Sequence, residues 1–202
     1  MSKTEFYLSE CAAAAMKSPM QYTLGAVLVK GGKVISRGHN HHRTHYDGAD
    51  VRTRGHRKPV SMHAEMHTIY TLTGMSPSFR AQGERQQLVQ GPDERNRQRE
   101  GISSDEGSGC SPGPTARAWG ARRRDPRVNG ADIYVARVTK AGAMGGAAPC
   151  WRCIEWCRWA GVKRIFHWNS ESGKFDVVKV NSVQGENYET HSDIRLYAGM
   201  VS

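Results

Sequence analysis

No apolar run in this chain is long enough to cross a membrane as a helix. Near the N-terminus the longest is Cys11 to Met16, against the roughly 18 residues that a span requires. The same run is too short for the centre of a secretory leader. A soluble intracellular protein, cytoplasmic or nuclear and without a membrane partner, is therefore expected. Cysteine is scarce and odd in number, five in 202 residues. In a reducing compartment that count excludes a disulfide framework. Apolar residues make up only 38% of the chain, so part of it is expected to lie outside any core. Lysine is absent from residues 75–130.

That stretch is instead full of Gly, Ser, Pro, Gln and Arg. It holds ten arginines against seven acidic residues, a balance of +3. Its composition predicts a largely disordered, low-complexity insertion at about 75–130. The rest is a comfortable size for one domain, so residues 1–202 are expected to be a single interrupted domain. The whole chain carries a net charge of +10 and a pI near 9.6. A basic balance favours phosphate-bearing partners, although the charge alone does not place them. The tract "ARRRDPR", residues 121–127, is a possible nucleic-acid contact. Single-strand binders interleave such arginines with stacking aromatics, and the insertion has only Phe79 and Trp119. A solvated run is the expectation there.

The remaining segments alternate in type. An alanine-rich helix is expected over 4–17, ended by Ser18-Pro19. "YTLGAVLVKGGKVISRGHN" reads as a hairpin around Gly31-Gly32. "VSMHAEMHTIYTLTG" reads as a helix with Ser61 at its N-cap and Gly74 just past its end. "ADIYVARV" is a strand, "CWRCIEWCRWAG" a helix stopped by Gly161, and "VKRIFHW" and "KFDVVKV" are strands. Residues 187–200 are ambiguous. This order predicts an α/β fold with a mixed sheet and helices on both faces.

Chemistry concentrates in "PCWRC". Cys150 and Cys153 are three apart at a helix start, where side chains share a face and the N-terminus favours thiolate. Cys157 lies roughly 10 Å further along a regular helix. Two thiolates on one tetrahedral zinc must be about 4 Å apart, so Cys157 is expected to pack in the core. A second helix start, "SMHAEMH", offers His63 as a third ligand and Glu65 two positions on. His-x-Glu with Pro-Cys-x-x-Cys is the pattern of zinc deaminases of nucleobases. Three protein ligands leave one position open for water, which marks a catalytic zinc.

With these motifs, "GAVLVKGGKVISRGHN", "MHAEMHTI", "ADIYVARV" and "PCWRCIEWCRWAGVKRIFHW", the chain resembles the cytidine deaminase superfamily in its CMP/dCMP-type branch. The resemblance implies a three-layer α/β/α sandwich around a mixed, about five-stranded sheet, and self-association into a homo-oligomer. It implies Zn2+ on His63, Cys150 and Cys153, with Glu65 as proton carrier. It places Asn40, at the end of the second strand, as a contact to base or sugar; the alternative for Asn40 is a turn residue closing the strand. Ala64, Arg43 and Trp151 are further candidate substrate contacts. His39, His41, His42 and His45 form a run that reads either as a second metal site or as a solvated loop. His67, four residues after His63, has the H-x-x-x-H spacing, but the cysteine pair makes it unnecessary as a ligand.

Three functions compete. The first is hydrolytic deamination of a free pyrimidine nucleoside, nucleotide or related aminopyrimidine. The layout has some similarity to fungal riboflavin-pathway deaminases, although bacterial riboflavin deaminases place their cysteines further apart. The second is editing of tRNA or single-stranded DNA, favoured by the charge. The third is a zinc module without catalysis, which would have no need of Glu65.

Overall fold

Ser2 and Glu5 start the first helix with a reciprocal pair of bonds. The Ser2 hydroxyl accepts the Glu5 N–H at 3.2 Å, and the Glu5 carboxylate accepts the Ser2 N–H at 2.7 Å. This capping box satisfies two backbone donors that the helix itself leaves open. The structure is a computed structural model that describes residues 2–43, 60–77, 124–183 and 190. Its elements are α1 (Lys3–Ala15), β1 (Thr23–Lys30), β2 (Lys33–His39), β3 (His41–Arg43), β4 (Val60–Met62), α2 (Ala64–Thr73), β5 (Asp132–Val138), β6 (Met144–Gly145), α3 (Trp151–Ala160), β7 (Arg164–Asn169) and β8 (Lys174–Lys179).

The main sheet runs β2-β1-β5-β7-β8, with the two-residue β6 added beside β5. β5 and β7 are parallel and every other pairing is antiparallel. The one parallel pair is the one joined by a helix, α3, because parallel strands need a crossover connection. The β1–β2 hairpin turns on Gly31 and Gly32, with φ of 58° and 77°. Two successive positive φ values make the tight turn whose twist suits a hairpin. A separate ribbon pairs β3 with β4.

Alternation along β1 decides which helix covers which face. Tyr7 and Cys11 of α1 pack with Val27, Val29 and Ala136 on one face. On that face Gly25 meets the backbone of Cys11 and Ala15 so closely that a Cβ would overlap both. The alanine run of α1 makes this approach possible. α2 lies on the other face, against β2 and β1, with α3 beside it. Gly38 touches it there: a Cβ would sit 2.6 Å from the Thr68 nitrogen and 2.7 Å from the Ala64 carbonyl oxygen. Ser36 adds a hydrogen bond of 2.8 Å to the Thr68 carbonyl. The result is the three-layer α/β/α arrangement. Gly38→Ala should push α2 off the sheet and cost about 2–3 kcal/mol, as overpacking of a filled site does. A thermal melt should fall by about 5–10 °C.

Several local expectations are corrected. Ser61 is not the cap of α2. It belongs to β4, opposite His42, and the cap is His63. The two ends of the expected insertion are packed: Pro77 is buried, Val128 is fully buried, and the Asp125 carbonyl receives the N–H groups of Val128 and Asn129. Residues 78–123, with the expected disorder and residues 121–123 of the arginine tract, lie outside the described residues, as do His45 and nearly all of 187–200. β3, β4 and β6 are too short to show a period in sequence.

Candidate metal centre

Two helices begin at the same place. His63 caps α2 with φ −73° and ψ 156°, and Cys150 caps α3 with φ −76° and ψ 163°. Neither side chain bonds its own helix. Extended backbone at the cap turns each side chain away from its helix and toward the other. Cys153 sits three residues into α3, where the return partner of a capping box normally stands. Here a second sulfur takes that place. The C-x-x-C pair is thus a cap residue and its third-position partner, rather than two residues of a formed turn.

The three side chains meet. His63 Nδ1 lies 3.2 Å from Cys153 Sγ and 3.3 Å from Cys150 Sγ. All three donor atoms are within 4.8 Å of one another. A tetrahedral zinc would hold an imidazole nitrogen and a sulfur about 3.6 Å apart. The donors fit that ion in type and spacing. Both cysteines are buried, and burial, followed by Cys150 beside it, pushes the Cys153 thiol well up. The helix N-termini oppose that shift, and an arriving cation displaces the thiol proton.

Glu65 lies against this cluster, 3% exposed. Burial raises its pKa above the ordinary carboxylate range; His63 opposes the shift and Cys150 adds to it. One oxygen meets Cys153, while Oε2 is buried without a hydrogen-bond partner among the described residues. Such an orphan atom is rare unless something else sits at the site.

A sequence comparison decides the family. The family described as "cytidine and deoxycytidylate deaminase zinc-binding region" matches residues 1–168. The chain belongs to this family. It is a hydrolytic deaminase with zinc as its cofactor. Among solved structures it is similar to a cytidine deaminase from Burkholderia pseudomallei, at 16% identity, covering 91% of this chain and 98% of that one, with a TM-score of 0.45. It is also similar to a dCMP deaminase from the cyanophage S-TIM5, at 15% identity, covering 80% and 78%, with a TM-score of 0.38. No curated protein matches.

The other candidates of this deaminase fall in different places. Cys157 is buried and outside the metal cluster, and burial raises its thiol. Ala64 is fully buried at the first position of α2. Trp151 is the first residue of α3, 8% exposed. Arg43 ends β3 opposite Val60, on the ribbon that leads into His63; its side chain is outside the description. Asn40 is buried and tied to backbone at both amide ends: Oδ1 accepts the Leu24 N–H at 2.8 Å and Nδ2 donates to the Tyr22 carbonyl at 2.6 Å. It therefore closes the strand; Nδ2 also donates to Met20 Sδ at 3.3 Å, which leaves one acceptor site on Oδ1 for anything else. Asn40→Ala should destabilise the fold by about 1–2 kcal/mol, through two lost bonds of which one carbonyl regains water. A denaturant titration measures it.

One feature leaves no sign in the sequence. Arg152, between the two cysteines, is 3% exposed, and its guanidinium lies 4.4 Å over the Trp151 ring. A charged residue in a helix of otherwise mixed polarity gives no hint of burial. Of the histidine run read as a second metal site or a solvated loop, the structure brings His39 and His41 to His67, which the sequence had left aside as a ligand.

Proposed function

We propose that this deaminase acts on a free pyrimidine nucleoside or nucleotide, or a related aminopyrimidine such as a riboflavin precursor. In this reading His63, Cys150 and Cys153 hold the zinc and Glu65 moves the protons. Zinc held there lowers the pKa of water from about 15.7 to about 7. Glu65 accepts a proton from the attacking water as oxygen adds to the ring carbon that bears the amine. It passes that proton to the ring nitrogen, then takes the hydroxyl proton of the adduct and gives it to the leaving amine. The carbon–nitrogen bond breaks, ammonia leaves, and a carbonyl remains. The observation that carries the reading is Glu65 itself: a buried carboxylate with a free oxygen, two residues from one ligand and in contact with another.

Ala64, Trp151, Arg43 and Asn40 border the substrate in this reading. Ala64 and Trp151 supply the first residue of each converging helix, and Arg43 stands on the ribbon beside them. Ammonia release tests the substrate class against cytidine, deoxycytidine, CMP, dCMP, ribitylamino-pyrimidinone phosphate, tRNA and single-stranded DNA. Turnover of a free pyrimidine is expected. Turnover of nucleic acid alone would overturn the reading. A shortened protein lacking residues 80–122 should keep its activity on the free substrate, since the packed turn at 124–130 is spared. If phosphates were held by the deleted arginines, the log–log salt slope of nucleic-acid binding would instead fall by about 0.7–0.9 per lost contact.

A further inference from the structure

Away from the zinc ligands, three histidines converge from three elements: His39 at the end of β2, His41 in β3 and His67 on α2. One nitrogen from each lies within 4.8 Å of the others. The ring centroids are 4.8 Å apart for His39–His67, 4.4 Å for His41–His67 and 5.7 Å for His39–His41. The rings meet at 85°, 63° and 57°, so they are not a stack. A tetrahedral ion bound about 2.05 Å from each ring nitrogen would sit about 3.2 Å from each ring centre. The centres would then be about 5 Å apart, and the observed separations straddle that value.

One backbone carbonyl orients two of the rings. The His39 oxygen lies 3.2 Å from Nδ1 of His41 and 2.9 Å from Nδ1 of His67. In the tautomer in which Nδ1–H donates to that oxygen, Nε2 is the ring nitrogen able to bind an ion. Metal-bound histidines are held in this way by the hydrogen bond of their other nitrogen. The His39 N–H also lies 3.1 Å from Nδ1 of His67 and would favour the opposite tautomer. An ion on Nε2 of His67 requires the first tautomer, because the second puts the ring proton on that nitrogen.

We propose that His39, His41 and His67 form a second metal site, separate from the His63 cluster, that takes a first-row divalent cation, Zn2+ foremost. Imidazole donors suit Zn2+, Cu2+ and Ni2+ alike. The ion would tie the β2–β3 junction to α2 one turn beyond His63, and so brace the helix that carries Glu65.

Cobalt separates the two sites, because only thiolate ligands give sulfur-to-cobalt charge transfer. Metal-free full-length protein should bind two equivalents of Co2+, one with the charge-transfer band and one with ligand-field absorption alone. His39→Ala and His41→Ala should each bind one equivalent and keep the charge-transfer band, which also shows that they fold. The Cys150→Ala/Cys153→Ala double variant should bind one equivalent without that band. Failure of the zinc-ligand assignment would show as a charge-transfer band surviving the double variant, leaving the histidine result readable. In the wild type, nitrogen NMR should show the Nε2 resonances of His41 and His67 shifting on addition of Zn2+, with Nδ1 still protonated. A single equivalent in the wild type, a second equivalent persisting in both histidine variants, or unmoved Nε2 resonances would each overturn the proposal.

Discussion

Glu65→Gln should reduce turnover by about 100- to 10,000-fold while leaving zinc content unchanged. General acid–base groups contribute on that scale, and glutamine keeps the shape of the side chain while removing its ability to carry a proton. Steady-state ammonia release alongside elemental analysis reads both quantities. A variant retaining more than a tenth of the wild-type rate would move the proton carrier elsewhere. The burial of Glu65 adds a second expectation. The native carboxyl is enclosed, with Oε2 lacking a partner among the described residues. A neutral amide avoids burying a charge there. The metal-free variant should therefore melt no lower than metal-free wild type.

Cys150→Ala and Cys153→Ala should each lose the catalytic zinc and with it all measurable deamination. Each sulfur is one of the three donors that the described residues bring to the His63 cluster, so removal leaves two of them. Cys157→Ala should keep the zinc, because Cys157 is buried apart from that cluster. Its cost is limited to a small core cavity, at most a few kcal/mol. Elemental analysis of protein dialysed against a moderate chelator distinguishes the three. Unchanged zinc in Cys150→Ala would remove that residue from the ligand set. The histidine triad must be accounted for in the same experiment, and His41→Ala as a common background does so.

Much of the candidate ligand set is legible in the amino-acid sequence, because chemistry at helix starts leaves a short pattern. Pro149-Cys150-x-x-Cys153 and His63-x-Glu65 are each compact, and the helix rise alone separates Cys157 from them. The hairpin is legible from Gly31-Gly32, since few other residues tolerate two successive positive φ values. The ends of α2 and α3 are legible from Gly74 and Gly161, with φ of 66° and 85°. These are local properties, set by the residues that carry them.

Other features depend on what packs against them. Ser61 carries a good capping side chain, yet pairing of β4 with β3 takes it into a strand and leaves His63 as the cap. Gly25 and Gly38 look alike in sequence. Only the sheet shows that one admits α1 and the other admits α2. Asn40 fits both a substrate contact and a strand closure, and its bonds to Leu24 and Tyr22 supply the closure. The histidine triad draws on residues 39, 41 and 67, which become neighbours only when β2 lies along α2. The zinc chemistry and the order of elements follow from the order of residues, because both rest on contacts within a few positions. Which face each glycine opens, which residue caps each helix and which histidines meet follow only from the packed chain, because they depend on pairings between segments far apart in the sequence.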